Sequence, residues 1–385
     1  MSVIRTTNNH KMLEWARDEI GYTIEQASEA VGLPPATLRA AELGEHQLTL
    51  GQLRNIADKY DVPFGFFYLS EPPYKKSFKP IPDFRIEPGY FGINHHRLGL
   101  EIKKCRDRRE VFIDLVSKLD EEIDTFQVIP EQEPANVGVF IRRRLGISDR
   151  DISVLNYETI YSFWKSKIED DGVLVYESQY IPEASGVIGV AIFYETCPII
   201  LIKRGGDFNE RKLFTLLHEY AHLLKGKSAI NDASSLTVSN SESEEAKIET
   251  ICNRLAGEIL APSERIIRAD YANLGLVEKM ELLSRTFKVT YSTAAVCLKR
   301  VNLINNVQLA ELLELRKQAA IKKRKDNSAE PPQIPREVLN KLDMGRPMFS
   351  TVLDAYTTGL LDVYDASKIL NLRVKKIDKL VSGMH

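Results

Sequence analysis

Two stretches in the middle of the chain repeat apolar residues every three or four positions, which is the period of an α-helix. The first runs from Phe214 to Leu224 and is apolar on nearly every side, as a buried helix is. Gly226 stands just beyond it, where a helix C-cap is expected. The second stretch covers residues 244–260 and carries Ile251 and Leu255 on its apolar stripe. The pattern predicts two helices, the first of them buried.

Short runs rich in β-branched residues precede the first of these helices and predict strands. They cover residues 172–176, 186–193 and 198–202. A small sheet beside helices is an α+β design. Because most of the remaining chain shows helical spacing, the predicted fold class is α+β and mostly helical.

The first 70 residues show the alternation of helices and turns of a helix-turn-helix domain. Thr23 and Gln26 form a capping-box pair at the start of one helix. Pro35 suits the first position of the next helix, which should end near Glu42. A further helix should follow, again capped by a threonine.

This order of helices resembles the XRE/Cro type of DNA-binding domain. The resemblance places three candidate DNA-contacting residues on the recognition helix: Thr37, Arg39 and Ala40. Charge is less favourable, because residues 1–70 hold six Lys/Arg against nine Asp/Glu, a net of −3, whereas DNA-binding surfaces are normally basic. Binding to operator DNA and docking or dimerisation through the same helices therefore both remain open.

Length and composition indicate several domains in a cytoplasmic protein. A chain of 385 residues should hold two or three domains, and its net charge of −2 gives no overall attraction to nucleic acid or membranes. No apolar run approaches the roughly 18 residues of a membrane helix, and the N-terminus does not resemble a secretory signal. The four cysteines form no Cys-x-x-Cys pair and are expected to be reduced thiols.

Shifts in composition divide the chain further. Prolines between residues 72 and 89 mark a connector, which leads into one predicted helix over residues 97–127. Basic residues at 322–325, followed by a polar, proline-containing stretch, predict a linker. The last 50 residues carry helical spacing and resemble a helix-turn-helix fragment. The predicted domains are an XRE-like domain (1–72), a connector and helical linker (73–150), a central α+β domain (151–305), a charged linker (306–335) and a C-terminal helical module (336–385).

The first central helix contains the string His218-Glu219-Tyr220-Ala221-His222. Residues i and i+4 lie on one face of a helix, so both imidazoles can reach a single metal ion. Glu219 stands beside the first histidine, where its carboxylate can take a proton from a metal-bound water. The pattern predicts a catalytic metal site, and the alternative is a buried helix with two hydrogen-bonded histidines.

Catalytic zinc needs a third protein ligand, and the other histidines lie far from this motif in the sequence. On the flank of the second helix's apolar stripe, Glu249 is the best candidate. Glu245 and Glu242 lie in an acidic run nearer the start of that helix and are the alternatives. Asn253, one turn after Glu249, could hydrogen-bond a ligand imidazole. Zn²⁺ is the expected cofactor, and Mn²⁺ or Fe²⁺ would suit the same ligands.

The residues around both motifs resemble the ImmA/IrrE metallopeptidase family. Residues 211–222 are similar to that family's active-site helix, and residues 249–262 to its second motif. Cys252, Leu255 and Ile259 replace the family's commoner residues in the second motif, and these are changes of packing. The resemblance implies a gluzincin-like zinc peptidase core with a small sheet.

The resemblance also implies a function. Such a protein would be an intracellular, site-specific zinc endopeptidase that cleaves a repressor, itself a helix-turn-helix protein, in a bacterial or phage stress or mobile-element circuit. The N-terminal helices would dock on operator DNA or on that repressor. Two rivals remain open: an XRE-type transcription regulator with a non-cleaving peptidase-like fold, and an antitoxin that binds a cognate toxin. No membrane partner is expected, and the sequence is compatible with a homodimer.

Overall fold

A computed structural model shows a mostly helical α+β protein, which confirms the predicted fold class. The residues that the structure describes are 8–19, 22–60, 62–71, 94–130, 136–181, 186–205, 212–232, 244–271, 273–315 and 336–382. The chain forms two compact units, one of Met1–Asp107 with Gln179–Val187, the other of Arg108–Ser178 with Ile188–His385. None of the described helices is both long and apolar enough to cross a membrane.

The first unit is a small helical domain. Its helices are α1 (His10–Glu19), α2 (Ile24–Val31), α3 (Pro35–Glu42), α4 (Leu50–Tyr60) and a 3₁₀ helix (Phe64–Tyr68). Both predicted threonine caps are present, because Thr23 Oγ1 accepts the Gln26 N–H at 3.3 Å and Thr49 Oγ1 accepts the Gln52 N–H at 3.2 Å. The apolar faces of these helices form one core that includes Met12, Leu13, Leu38, Leu53 and Ile56.

The long helix α5 (Asn94–Lys118) starts three residues earlier and ends nine residues earlier than the predicted helix over 97–127. The chain turns at Asp120, whose φ is +55°. Residues 121–130 are not helical, and Thr125 forms an antiparallel bridge with Thr196. Phe126 lies in this extended segment and is buried. The apolar pattern therefore continues past the end of α5, although the helix does not.

The second unit is built around a four-stranded sheet. Its strands are β1 (Leu174–Ser178), β2 (Val187–Ile192), β3 (Ile199–Lys203) and β4 (Ala229–Asp232), in the order β1-β3-β2-β4. β1 runs parallel to β3, and β2 runs antiparallel to it. The three predicted strands are confirmed, whereas β4 was not predicted, since its four residues follow the buried helix without an apolar alternation.

Helices surround this sheet and share one core with it. They are α6 (Val137–Arg144), α7 (Asp149–Val154), α8 (Ile160–Asp170), α9 (Lys212–Leu224), α10 (Glu244–Leu260), α11 (Ser263–Arg268), α12 (Leu276–Phe287) and α13 (Tyr291–Arg300). Val137 and Ile141, from the predicted connector, are buried in this core. Residues 306–315 are helical rather than a linker, and Leu312 is buried in the same core one turn after Leu309. The rest of the predicted linker, 316–335, lies outside the described residues.

Four further helices complete the second unit. They are α14 (Arg336–Met344), α15 (Arg346–Thr357), α16 (Val363–Leu370) and α17 (Val374–Ser382). The α14–α15 corner rests on β1 and α8, where Lys165 Nζ donates to the Leu342 carbonyl at 3.1 Å and the Arg346 N–H donates to Glu169 Oε1 at 3.1 Å. Gly345 turns this corner with φ +74°, and a Cβ there would stand 2.7 Å from the Val175 carbonyl oxygen. The close approach therefore requires glycine at this position.

Candidate metal centre

Helix α9 carries both histidines of the motif at the centre of the second unit. Every side chain from Thr215 to Leu224 is buried, as the nearly continuous apolar sequence predicts. His218 and His222 are one turn apart and lie on the same face of the helix, with the two Nε2 atoms 3.0 Å from each other. The helix ends as expected, because Gly226 adopts φ +64° just beyond it.

Helix α10 packs along α9 and brings a carboxylate to the two imidazoles. Glu249 Oε2 lies 3.2 Å from His218 Nε2, and Glu249 Oε1 lies 3.2 Å from His222 Nε2. His218, His222 and Glu249 can each offer one ligand atom to a metal ion, and these three atoms lie within 4.8 Å of one another. The two helices that carry the three side chains are in extensive contact.

The spacing of these three groups fits a tetrahedral metal ion. An ion at about 2.0–2.1 Å from each ligand separates neighbouring ligand atoms by about 3.3–3.4 Å in that geometry. Here the two Nε2 atoms are 3.0 Å apart, and each lies 3.2 Å from a different oxygen of the Glu249 carboxylate. Three protein ligands leave the fourth position of a tetrahedral ion open, so the cluster is a candidate metal site with room for one further ligand.

Glu219 lies against the backbone of β2. A Cβ on Gly189 would stand 2.5 Å from Glu219 Oε1 and 2.8 Å from Thr215 Cγ2. The carboxylate is fully buried, like the imidazole of His218 beside it. Sequence reasoning missed Gly189, although a glycine inside a strand often marks a place where another group approaches the backbone closely.

The opposite side of α9 is fastened by Tyr220. Its hydroxyl donates to Asp171 Oδ2 at 2.7 Å. The Arg144 guanidinium donates to both oxygens of the same carboxylate, at 2.8 Å to Oδ1 and 2.7 Å to Oδ2. Burial, followed by the charge of Asp171, raises the pKa of Tyr220 well above its ordinary value, so the phenol remains a donor. Tyr220 is two residues from each histidine in the sequence, about 200° around the helix, and therefore holds the helix from the side away from them.

The start of α9 is held by a buried carboxylate at the end of β1. Glu177 Oε2 accepts from Lys212 Nζ at 2.6 Å, while Oε1 accepts from Lys165 Nζ at 3.2 Å and from the Tyr161 hydroxyl at 3.0 Å. Burial alone would raise the pKa of Glu177, but Lys165 and Lys212 outweigh it and the pKa lies below its ordinary value. This network ties the first turn of α9 to the sheet.

The remaining predicted side chains of the metal centre are less informative. Asn253 is half-buried on α10, one turn after Glu249, and its hydrogen bond to a ligand imidazole remains a prediction. Glu245 lies one turn before Glu249, at the start of α10. Glu242 falls outside the described residues.

The candidate DNA-contacting residues lie on α3 in the first unit, as predicted for a recognition helix. Arg39 is exposed, and its Nη2 lies 3.7 Å from Glu25 Oε1. Thr37 and Ala40 are half-buried. The cationic group of this helix thus stands beside an acid, which weakens its attraction for phosphate.

Comparison with known protein families agrees with this arrangement. Residues 180–299 match the model of the Peptidase M78 family, described as the IrrE N-terminal-like domain. Residues 13–67 match a helix-turn-helix family model. No curated protein and no solved structure matches the chain. The two matches confirm the predicted resemblance to the ImmA/IrrE architecture with an N-terminal XRE-type domain.

Proposed function

We propose that this chain, which joins a helix-turn-helix region to an IrrE N-terminal-like peptidase domain, is a zinc-dependent endopeptidase with a regulatory protein as its substrate. One observation carries the proposal: two imidazole nitrogens and one carboxylate converge within 3.2 Å of one another. A further buried carboxylate, Glu219, adjoins the first histidine. These are the groups that metal-assisted peptide hydrolysis needs.

The proposed ligands are His218, His222 and Glu249, a set that suits zinc. A bound zinc ion would supply a Lewis acid that activates water and polarises a peptide carbonyl. Glu219 would accept the proton as the water oxygen attacks the carbonyl carbon, and would donate it to the nitrogen as the C–N bond breaks. Gly189 would leave space for that carboxylate, and Asn253 would orient an imidazole.

The proposed substrate is a DNA-binding repressor. Support comes from the helix-turn-helix region in the same chain. This region would bring the protease to the operator where the repressor sits, or would bind the repressor itself. Its net charge of −3 over residues 1–70 favours the second of these.

Metal content tests the site directly. We expect about one zinc per chain in the wild type and in Glu219→Gln, and almost none in His218→Ala or Glu249→Ala. Glu245→Ala is the matched control for Glu249→Ala, since it removes a carboxylate one turn away on the same helix. Zinc lost in Glu245→Ala and kept in Glu249→Ala would refute the assignment of the third ligand. No zinc in the wild type after reconstitution would refute the metallopeptidase.

Burial favours a second candidate, a transcription regulator or antitoxin whose peptidase-like domain does not cleave. Glu219 and both histidines are at most 1 % exposed, so a polypeptide must gain access before it can react. The zinc-loaded protein should be incubated with the repressor encoded nearest to its gene. The Glu219→Gln variant, incubated with the same repressor, is the control. A cut that depends on Glu219 supports the protease. An intact repressor, together with tight binding of a neighbouring toxin, would support the antitoxin.

A further inference from the structure

Among the residues that the structure describes, three segments share one type of turn between two helices. In each, a serine hydroxyl donates to the carbonyl oxygen five residues later, and that residue's N–H donates back to the serine carbonyl at 3.1, 3.2 and 3.1 Å. The pairs are Ser28 with Leu33, Ser284 with Val289, and Ser367 with Leu372. We call this arrangement the serine turn.

The backbone of the serine turn is the same in all three segments. The fourth residue after each serine has a left-handed conformation: Gly32 (φ +68°), Lys288 (φ +54°) and Asn371 (φ +49°). A buried residue follows ten positions after each serine, in the second helix: Leu38, Ala294 and Ile377. The first segment lies within the match to the helix-turn-helix model. By this geometry α16 and α17 also form a helix-turn-helix.

The three second helices differ in what they expose. In a helix-turn-helix, the second helix enters the major groove and its outward residues meet the DNA. We compare the three positions that lie 8, 9 and 12 residues after each serine. In α3 they are Ala36, Thr37 and Ala40, and in α13 they are Ser292, Thr293 and Val296. In α17 they are Lys375, Lys376 and Lys379. Only the last set is cationic, and all three of its lysines are exposed.

The surroundings of α17 increase this difference. Arg373 is exposed in the turn just before the helix, which brings the basic residues to four. The one acid on α17, Asp378, accepts a hydrogen bond from the Tyr356 hydroxyl at 3.0 Å. In α3, by contrast, the single arginine stands beside Glu25. Ile377 is buried against the C-terminal core, so the basic side of α17 points away from it.

We propose that the α16–α17 helix-turn-helix is the DNA-binding module of this protein, and that it holds the phosphates of a duplex with Arg373, Lys375, Lys376 and Lys379. The positive face supplies the phosphate neutralisation that residues 1–70, with a net charge of −3, lack. The serine turn fixes the angle at which α17 is presented. This assignment does not depend on the metal centre or on peptidase activity.

The test is fluorescence anisotropy of the full chain with a random-sequence duplex of about 30 base pairs, at several salt concentrations. The variant Lys375→Gln/Lys376→Gln/Lys379→Gln should bind at least about tenfold more weakly, and the slope of log K against log salt should fall by about 2–3. The matched control changes three exposed lysines elsewhere, Lys59, Lys118 and Lys227, to glutamine. It should keep wild-type affinity.

Further variants separate charge from folding. The variant Lys375→Arg/Lys376→Arg/Lys379→Arg should keep wild-type binding. The thermal unfolding of each lysine variant should stay near that of the wild type, because the changed side chains are exposed. His218→Ala should bind DNA normally, which distinguishes this proposal from the metal site. No binding by the wild type, equal loss in the control triple, loss in Arg39→Ala alone, or preference for single-stranded RNA would each overturn the assignment.

Discussion

The carboxylate of Glu219 occupies the space that a side chain on Gly189 would need. The strand and the helix approach so closely that even a methyl group would lie 2.5 Å from an oxygen of the carboxylate. Glycine in the middle of β2 is therefore tied to the position of the proposed proton acceptor on α9.

Gly189→Ala tests this relationship. We expect the added methyl group to displace Glu219 and to lower the free energy of unfolding by about 1–3 kcal/mol, as overpacking of a core does. Zinc content should not change, because the three proposed ligands are not crowded by the methyl group. Chemical denaturation and metal analysis measure both effects. Gly51→Ala, where a Cβ meets nothing within 4 Å, is the control. Equal effects on stability in both variants would contradict the prediction.

Tyr220→Phe removes one hydroxyl on the side of α9 that faces away from the histidines. The lost hydrogen bond is made to a charged, half-buried partner, so we expect a loss of about 1.5–3 kcal/mol in the free energy of unfolding. Zinc content should be unchanged. Tyr364→Phe, at a residue that is 74 % exposed, should change stability by less than about 0.5 kcal/mol. Loss of zinc in Tyr220→Phe would show that Tyr220 also acts on the metal site.

Glu177→Gln leaves Lys165 and Lys212 without their buried counter-charge, and we expect a loss of about 3–5 kcal/mol at pH 7. The folded-state pKa of Glu177 is depressed, so its contribution is present above the unfolded value of about 4.3 and is lost as pH falls through the lower folded value. Urea unfolding should therefore show wild type and variant converging below about pH 4. Glu121→Gln, at an exposed residue, is the control. A difference that is constant from pH 7 to pH 3 would contradict this account.

Removal of the proposed zinc should destabilise the second unit, since a ligand that binds only the folded state stabilises it. At a free zinc concentration of 100 times Kd the effect is about 2.7 kcal/mol. A chelator should lower the melting temperature of the wild type and of Glu219→Gln, and should leave Glu249→Ala unchanged. Calorimetry with and without chelator measures the shift. An equal shift in Glu249→Ala would mean that the chelator acts elsewhere.

Local sequence patterns predicted much of the fold and of the candidate site. Helix α10 has the bounds 244–260 that its apolar stripe indicates, and the caps at Thr23 and Thr49 lie where a capping box requires them. The proximity of His218 and Glu249 followed from helix geometry and from the family resemblance. Each of these features depends on neighbours within one or two turns.

Contacts between distant segments were not predictable in this way. Asp171 and Tyr220 are 49 positions apart, and nothing local in either segment indicates the other. The same holds for Gly189 and Glu219. The serine turn was missed for a different reason: Lys288 and Asn371 occupy left-handed positions where glycine is the residue usually sought.

The corner at Gly345 has a practical consequence for fragments of this protein. β1 lies at one edge of the sheet, and α14 packs on it. A fragment that ends before residue 336 would uncover the edge of a strand whose residues are all buried in the full chain, and would leave Lys165 without its acceptor at Leu342. Uncovered strand edges of this kind pair with one another. Cutting the chain at the basic stretch 322–325 should therefore yield an insoluble peptidase domain.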